Sequence, residues 1–474
     1  MKTITATGLL VGILFTTSVT SATDEPLDKL IRYVETDTVN PPGNESRGVA
    51  FFSDIFDAAG IAYETAESAP GRGNIWARLK GGDQPGLILL HHIDVVPATA
   101  SAWTTEPLRA VVKDKKLHGR GTLDTKALGI AHLEAFVALH KSGITLSRDV
   151  IFMATADEEA GGLMGAGWLI KNRPQSFAGA GYLLNEGGIG IDTGSKTRFQ
   201  IEVAQKRPYW FKLIASDKPG HGSRPYPTSA PSRLIAALNR IQLSPFAPRI
   251  VAPVRGMFIG MAEYADGEWT AALNNIDAAI LDSDFLARFQ AGNARLHALT
   301  RNTCSITMLS GSNKINVVPP TASAELDCRL LPDQDADEFR AEILARVADE
   351  QITLEEILNF GPSQSSSNTP LFRLLKAASE QHYPDAGVIA SVSGGFTDSH
   401  FFREHNITSY GYAPFMVPAA DLSGVHGNNE RIGIENFKLG VKIMTDIVHS
   451  FATTTPHQAC GGRNRPQPLL TPKL

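Results

Sequence analysis

Seven ionisable residues stand at the ends of short apolar runs or on the loops that follow them. His92 and Asp94 close Leu87-Ile-Leu-Leu-His-His-Ile-Asp94, and Asp124 closes Gly119-Arg-Gly-Thr-Leu-Asp124. Glu158 and Glu159 follow the run Asp149 to Thr155, Glu186 ends Ala180-Gly-Tyr-Leu-Leu-Asn-Glu186, and His426 lies beyond a proline-containing loop. Two imidazoles among carboxylates are borderline-to-hard donors suited to Zn²⁺, with Co²⁺ or Mn²⁺ as substitutes. The lack of a cysteine donor fits a catalytic site better than a structural one. Taken singly, each residue is more often a cap or a solvated loop group than a ligand, so the weight rests on their contexts.

The elements that must present these groups alternate. Helical periodicity covers Pro26 to Thr36, Glu45 to Ala59 and Lys126 to His140, between strand-like runs at Asn74 to Leu79, Gly86 to His92, Asp149 to Thr155 and Ala180 to Glu186. This predicts an α/β fold, a mostly parallel sheet with helices on both faces, which offers its site at the C-terminal ends of the strands. From about 207 to 331 the order becomes β-α-β-β, read as a smaller α+β unit inserted into the first. The segment 242–302, helical from Phe285 to Leu299, is expected to cover one face of that unit. After Asp333 the α/β pattern resumes, and a last helix is expected from Asn429 to Phe451.

The expected organisation is a leader at 1–22, a catalytic unit at 23–206 and 332–452, the insertion at 207–331, and a disordered tail at 453–474. Lys2, the apolar run Gly8 to Phe15, and Ser21-Ala22 before Asp24-Glu25 have the form of a secretory signal peptide, so export with cleavage near Ala22 is expected. That run is shorter than the roughly 20 residues a spanning helix needs. A net charge of -5 with no basic stripe gives no reason to expect nucleic acid. Three cysteines are too few for a disulfide scaffold. Cys304 and Cys328 flank an expected hairpin and could face each other across it; two separately buried thiols are the alternative.

In order along the chain, His92-Ile-Asp-Val-Val-Pro97, Gly119-Arg-Gly-Thr-Leu-Asp-Thr-Lys126, Asp157-Glu-Glu159, Asn185-Glu-Gly-Gly188, Gly220-His-Gly-Ser223 and His426-Gly-Asn-Asn-Glu430 resemble the signatures of metallopeptidase family 20. That family includes aminoacylases, dipeptidases and carboxypeptidases. The resemblance implies a two-zinc exopeptidase fold with an inserted lid and dimerisation unit. It implies that Asp124 bridges two ions, one completed by His92 and Glu186, the other by Glu159 and His426. It makes Asp94 the group that orients the His92 imidazole, Glu158 the general base, and His221 the donor to the developing oxyanion, often across a dimer. His91, one residue earlier, should point to the opposite side of the strand.

Asn316, Arg329, Gly395 and Thr397 resemble family positions that hold the substrate, with the Arg329 fork suited to a carboxylate; a structural ion pair is the other reading of Arg329. Asn185-Glu186-Gly187 and the long insertion resemble the aminoacylase and S-type carboxypeptidase branch. The expected activity is therefore hydrolysis of an amide beside a C-terminal free carboxylate in short peptides, with N-acyl amino acids as the alternative substrate. Two divalent ions sharing a water lower its pKa toward neutrality, and Glu158 takes its proton and returns it to the leaving amine. An aminopeptidase of the related two-zinc fold leaves the insertion unexplained. A metal-bound but inactive binding protein is disfavoured by the presence of Glu158.

Overall fold

A run with no polar face, Leu87 to Leu90, must be covered on both sides, and it lies inside an eight-stranded sheet. The computed structural model describes residues 25–454, so the expected leader and nearly all of the expected tail lie outside the described residues. The principal strands are β1 (Tyr63–Glu67), β2 (Gly73–Leu79), β3 (Gln84–His92), β4 (Arg148–Thr155), β5 (Ala180–Asp192), β6 (Thr197–Gln205), β7 (Arg207–Ser216), β8 (Thr303–Ser310), β9 (Thr321–Leu330), β10 (Ile352–Asn359), β11 (Ala386–Ser393) and β12 (Thr408–Pro418). The large sheet runs β1-β2-β4-β3-β5-β12-β6-β11. Its centre, β4-β3-β5-β12, is parallel. The fold class is thus α/β with a mostly parallel sheet, as the alternation predicts.

The main helices are α1 (Glu25–Glu35), α2 (Ser46–Ala59), α3 (Lys126–Ser142), α4 (Ala230–Leu243), α5 (Ala252–Ala262), α6 (Ser283–Gly292), α7 (Ala336–Val347), α8 (Pro370–His382) and α9 (Ile434–Thr453). The central core joins Tyr33 of α1, Phe52 and Phe56 of α2 and Phe136 of α3 to Phe152 of β4, and Phe437 and Met444 of α9 are buried in the same cluster. The last helix starts at Ile434 rather than Asn429, because Arg431–Gly433 pairs as a short strand with Lys116–His118. Among the described residues no helix is long and apolar enough to cross a membrane.

The second sheet, β8-β9-β7-β10, has its own core under α4 and α7, including Phe211, Leu326, Phe339 and Ile343. The small unit therefore runs on to Asn359 and has the order β-α-β-β-α-β, past the expected boundary at 331, which leaves its last helix and strand in the large unit. Pairing of β10 with β7 overrides that division. A second correction concerns 242–302. Val254, Met257, Phe258, Phe285 and Phe289 belong to the central core and not to that of the small unit. Gly260 of α5 comes so close to Ile389 of β11 that an added Cβ would lie 3.1 Å from Ile389 Cγ2. The insertion covers the edge of the large sheet. Cys304 and Cys328, opposed in register, are bonded as a disulfide.

Two side-by-side crossings join the units: Gln205 N–H donates to Ser363 O at 3.2 Å, and Arg207 Nε donates to Phe360 O at 2.6 Å. Between them, the Lys206 ammonium donates to Ala298 O, Arg301 O and Thr303 Oγ1 at 2.8, 2.8 and 3.0 Å. Deeper in the large sheet, the buried Arg403 clasps Glu202 through both guanidinium ends at 2.9 and 2.8 Å. Removing one partner leaves an uncompensated buried charge. Arg403→Met should lower unfolding free energy by about 3–5 kcal/mol in a denaturant titration, and a loss below about 1 kcal/mol would show the pair to be dispensable.

Candidate metal centre

His92 is the last residue of β3 and lies opposite Thr155, the last residue of β4. The chain leaving β4 turns at Asp157, whose φ of 73° puts it in the left-handed region, and the buried Glu158 and half-buried Glu159 follow that turn. Arg72 pairs with the Asp157 carboxylate, and Met164 N–H donates to it at 2.9 Å. Glu186 sits within β5 just before Gly187 (φ 113°) and Gly188. A Cβ on Gly188 would stand 2.2 Å from Gly411 O, so glycine is required for β12 to pass there.

Asp124 is placed by a buried carboxylate far along the chain. Glu430 accepts N–H donors from Gly121, Leu123 and Asp124 at 2.9, 2.6 and 3.0 Å and pairs with Arg120 at 2.7 Å. The strand at 431–433 holds Glu430 there, four residues after His426, whose own φ is 53°.

These elements bring five of the expected residues together. His92 Nε2 lies 3.0 Å from Asp124 Oδ1 and 3.6 Å from Glu186 Oε1. His426 Nε2 lies 3.0 Å from both Asp124 Oδ2 and Glu159 Oε2. Two groups, His92-Asp124-Glu186 and Asp124-Glu159-His426, could each hold a metal ion, and they share Asp124. The donor set fits a divalent cation: every donor is an imidazole nitrogen or carboxylate oxygen, and Glu159 Oε1 is buried with no hydrogen-bond partner.

Electrostatics point the same way. Burial, the Glu186 charge and the Glu159 charge push Glu158 well above the ordinary carboxylate range. Burial and the Asp124 charge raise Glu159 to about 7, against the His426 hydrogen bond. Burial opposes charge on His92, but the Glu186 and Asp124 carboxylates outweigh it and raise the imidazole well above its usual value. Hydrogen bonds to Asp124 and Glu159 raise His426 to about 10. Crowded acids and forced imidazolium ions describe a cluster short of positive charge.

Asp94 works differently from the expected single hydrogen bond. His92 Nδ1 is 2.9 Å from the Asp94 backbone carbonyl and 3.6 Å from its carboxylate, so the main-chain oxygen holds the ring. The carboxylate instead accepts Glu158 N–H and Glu159 N–H, each at 3.2 Å, and Asn40 Nδ2 at 2.8 Å. Asn40 in turn takes Arg72 at 3.2 Å. His91 turns away as expected, toward the Tyr33 hydroxyl at 3.2 Å.

The substrate candidates are not gathered as tightly. Thr397 is buried on Gln205 at 3.2 Å, and its Cγ2 lies 3.7 Å from where a Gly187 Cβ would stand, beside Glu186. Gly395 N–H donates to Ser393 Oγ at 3.2 Å. Arg329 grips Asp327 at 2.7 and 3.0 Å, the ion-pair alternative, yet its remaining Nη1 is buried without a partner. The Phe396 and Trp210 rings flank that guanidinium at 5.4 and 5.6 Å. His221 is exposed, its Nδ1 held by Ser223, and Gly222 N–H donates to Asn316 O at 2.9 Å. Among the described residues no hydrogen bond or ion pair links His221 to the metal cluster.

Sequence reasoning missed Asn40, Glu430 and Asp398. The first two sit in conspicuous stretches, Asn40-Pro-Pro42 and His426-Gly-Asn-Asn-Glu430, but only burial shows what they hold. Asp398, pushed to about 8 by burial, accepts Thr155 Oγ1 at 3.1 Å. Asn40→Ala should loosen Asp94 and weaken metal retention about tenfold in a chelator competition; unchanged retention would make Asn40 a merely structural amide.

Comparison with known proteins agrees with this geometry. The chain is 27% identical over 388 residues to mouse N-fatty-acyl-amino acid synthase/hydrolase PM20D1, covering 78% of this chain and 76% of the relative. It is 26% identical over 438 residues to pig aminoacylase-1, covering 89% and 94%. An M20 family metallo-carboxypeptidase of Sulfolobus solfataricus shares the fold, with a TM-score of 0.68 at 19% identity over 90% of this chain and 99% of that one. The family model described as Peptidase family M20/M25/M40 matches residues 88–450, and the chain belongs to that family of metallohydrolases.

Proposed function

We propose that the enzyme is an exo-acting hydrolase that cleaves the amide bond beside a C-terminal free carboxylate in short peptides. The observation that carries this reading is the convergence of His92, Asp124, Glu159, Glu186 and His426 at the strand ends, with Glu158 buried beside them. N-acyl amino acids are the second substrate class, favoured by the names of the mouse and pig relatives. Both classes present the same amide and carboxylate.

When bound between the two ligand groups, a pair of divalent ions, assigned as zinc with cobalt or manganese as substitutes, supplies an acidified water and a Lewis acid for the carbonyl. Glu158, buried beside the ligands, would take the water's proton and hand it to the leaving nitrogen. Asp94 keeps Glu158 and Glu159 in register through their backbone N–H groups. Gly395 and Thr397 line the substrate's path, and the free end of Arg329, framed by Phe396 and Trp210, receives its carboxylate. His221, outside its own cluster, reaches the oxyanion from a partner subunit or after closure of the small unit.

A homodimer through the small unit is supported by its open edge. Strand β8 ends one side of the second sheet and exposes Ile306, Met308 and Leu309, apolar side chains that a lone edge strand ordinarily lacks. Export is supported by the expected leader and by the Cys304–Cys328 disulfide, which suits an oxidising compartment.

Glu158→Gln should retain two metal ions per chain by elemental analysis and lose about 10²–10⁴ in turnover; near-normal turnover with metals in place would remove Glu158 as the base. His221→Ala should lower kcat more than it changes KM, and a change confined to KM would contradict the oxyanion role. Met308→Glu with Leu309→Glu should give a monomer by light scattering, and an unchanged mass would place any dimer elsewhere. A screen of unblocked dipeptides against N-acyl amino acids, with zinc supplied, decides between the two substrate classes.

A further inference from the structure

The helices of the insertion take no part in the metal centre, yet they build a cavity of their own against the large sheet. It offers about 310 Å³, partly open to solvent, and is lined by Arg198, Met261, Trp269, Leu273, Phe289 and Leu296, among others. That volume falls at the lower end of the roughly 300–1,000 Å³ range of small-ligand sites. Leu273, Phe289 and Leu296 are buried, and the Trp269 ring packs 5.7 Å from Phe289. The walls are thus mostly apolar and aromatic, with Tyr264 and Asn293 as neutral polar members and Arg198 as the cationic one.

Arg198 enters from β6. Its Nε is buried with no hydrogen-bond partner, and among the described residues its guanidinium makes no ion pair. Burial and the like charge of Arg295 push its pKa down, with Tyr264 as a weaker counterweight, so the half-buried positive charge is only partly offset by the protein. An unpaired guanidinium in an apolar pocket is complementary to a ligand with one anionic end and a hydrocarbon body.

The site is separate from the catalytic centre. Arg198 lies opposite Ile191, five residues beyond Glu186 on β5, or roughly 16 Å at the rise of a strand.

We propose that this pocket binds an aliphatic monocarboxylate, its chain against Trp269, Phe289 and Leu273 and its carboxylate on Arg198. The assignment does not depend on which amide the metal centre hydrolyses. It also gives the insertion a task, since its helices supply every apolar wall named here while the large sheet supplies the charge.

Calorimetric titration of the full chain with decanoate and with 1-decanol tests it. Decanoate should bind saturably and more tightly than decanol. Arg198→Met should weaken decanoate about tenfold or more and leave decanol unchanged. Gly292→Leu provides an arm that keeps the charge: Gly292 is exposed at the end of α6, and a Cβ there would stand 3.8 Å from Trp269 Cζ2, so the longer side chain should obstruct both ligands. No saturable decanoate binding, or binding that neither variant alters, would overturn the proposal. Should Arg198→Met fail to fold, the Gly292→Leu titration decides the matter alone.

Discussion

Mutual repulsion of carboxylates in a poorly solvated place is the constraint on which the rest of this structure depends. Asp124, Glu158, Glu159 and Glu186 are held within one small volume with only two imidazoles to offset them. Left to themselves such groups would protonate or move apart. What keeps them in place is a set of donors aimed from behind: two backbone N–H groups on Asp94, three on Glu430, and an arginine behind each assembly. The fold spends its buried hydrogen bonds on fixing anions, which is what a site for cations requires.

Much of this was legible in the sequence because the ligands lie at points where periodicity breaks. His92 and Glu158–Glu159 end or follow apolar runs that could only be buried strands, and the parallel sheet brings those ends together. Glu186 likewise ends an apolar run, and order along the chain supplied Asp124 and His426. What was not legible depends on contacts across long separations. Asn40 reaches Asp94 over 54 residues and Glu430 reaches Asp124 over 306, and neither spacing carries a local signal. The Asp94 carboxylate serves Glu158 and Glu159, while the backbone of the same residue holds His92, a division no residue type reveals.

The same reason explains the misplaced end of the small unit and the unexpected packing of 242–302. A strand such as Ile352–Asn359 looks alike whichever sheet it joins, and only its pairing with Arg207–Ser216 puts it in the small unit. The insertion between Leu243 and Thr303 is amphipathic, and its apolar face matched either neighbour until Val254, Met257 and Phe258 packed on the large sheet. Phe396 directly follows the glycine pair Gly394-Gly395. In the structure it stands over Arg329 beside Trp210 and gives that loop an aromatic wall.

The insertion leaves and re-enters the small unit but is packed on the large one, and this has a mechanical result. Two adjacent crossings, at Gln205–Arg207 and Phe360–Ser363, would by themselves act as a single axle. The insertion adds a third anchorage away from that axle, and Lys206 pins its end to the crossing through Ala298 and Arg301. Any swing of the small unit about the crossings therefore has to carry the insertion with it or disturb the insertion's packing on the large sheet.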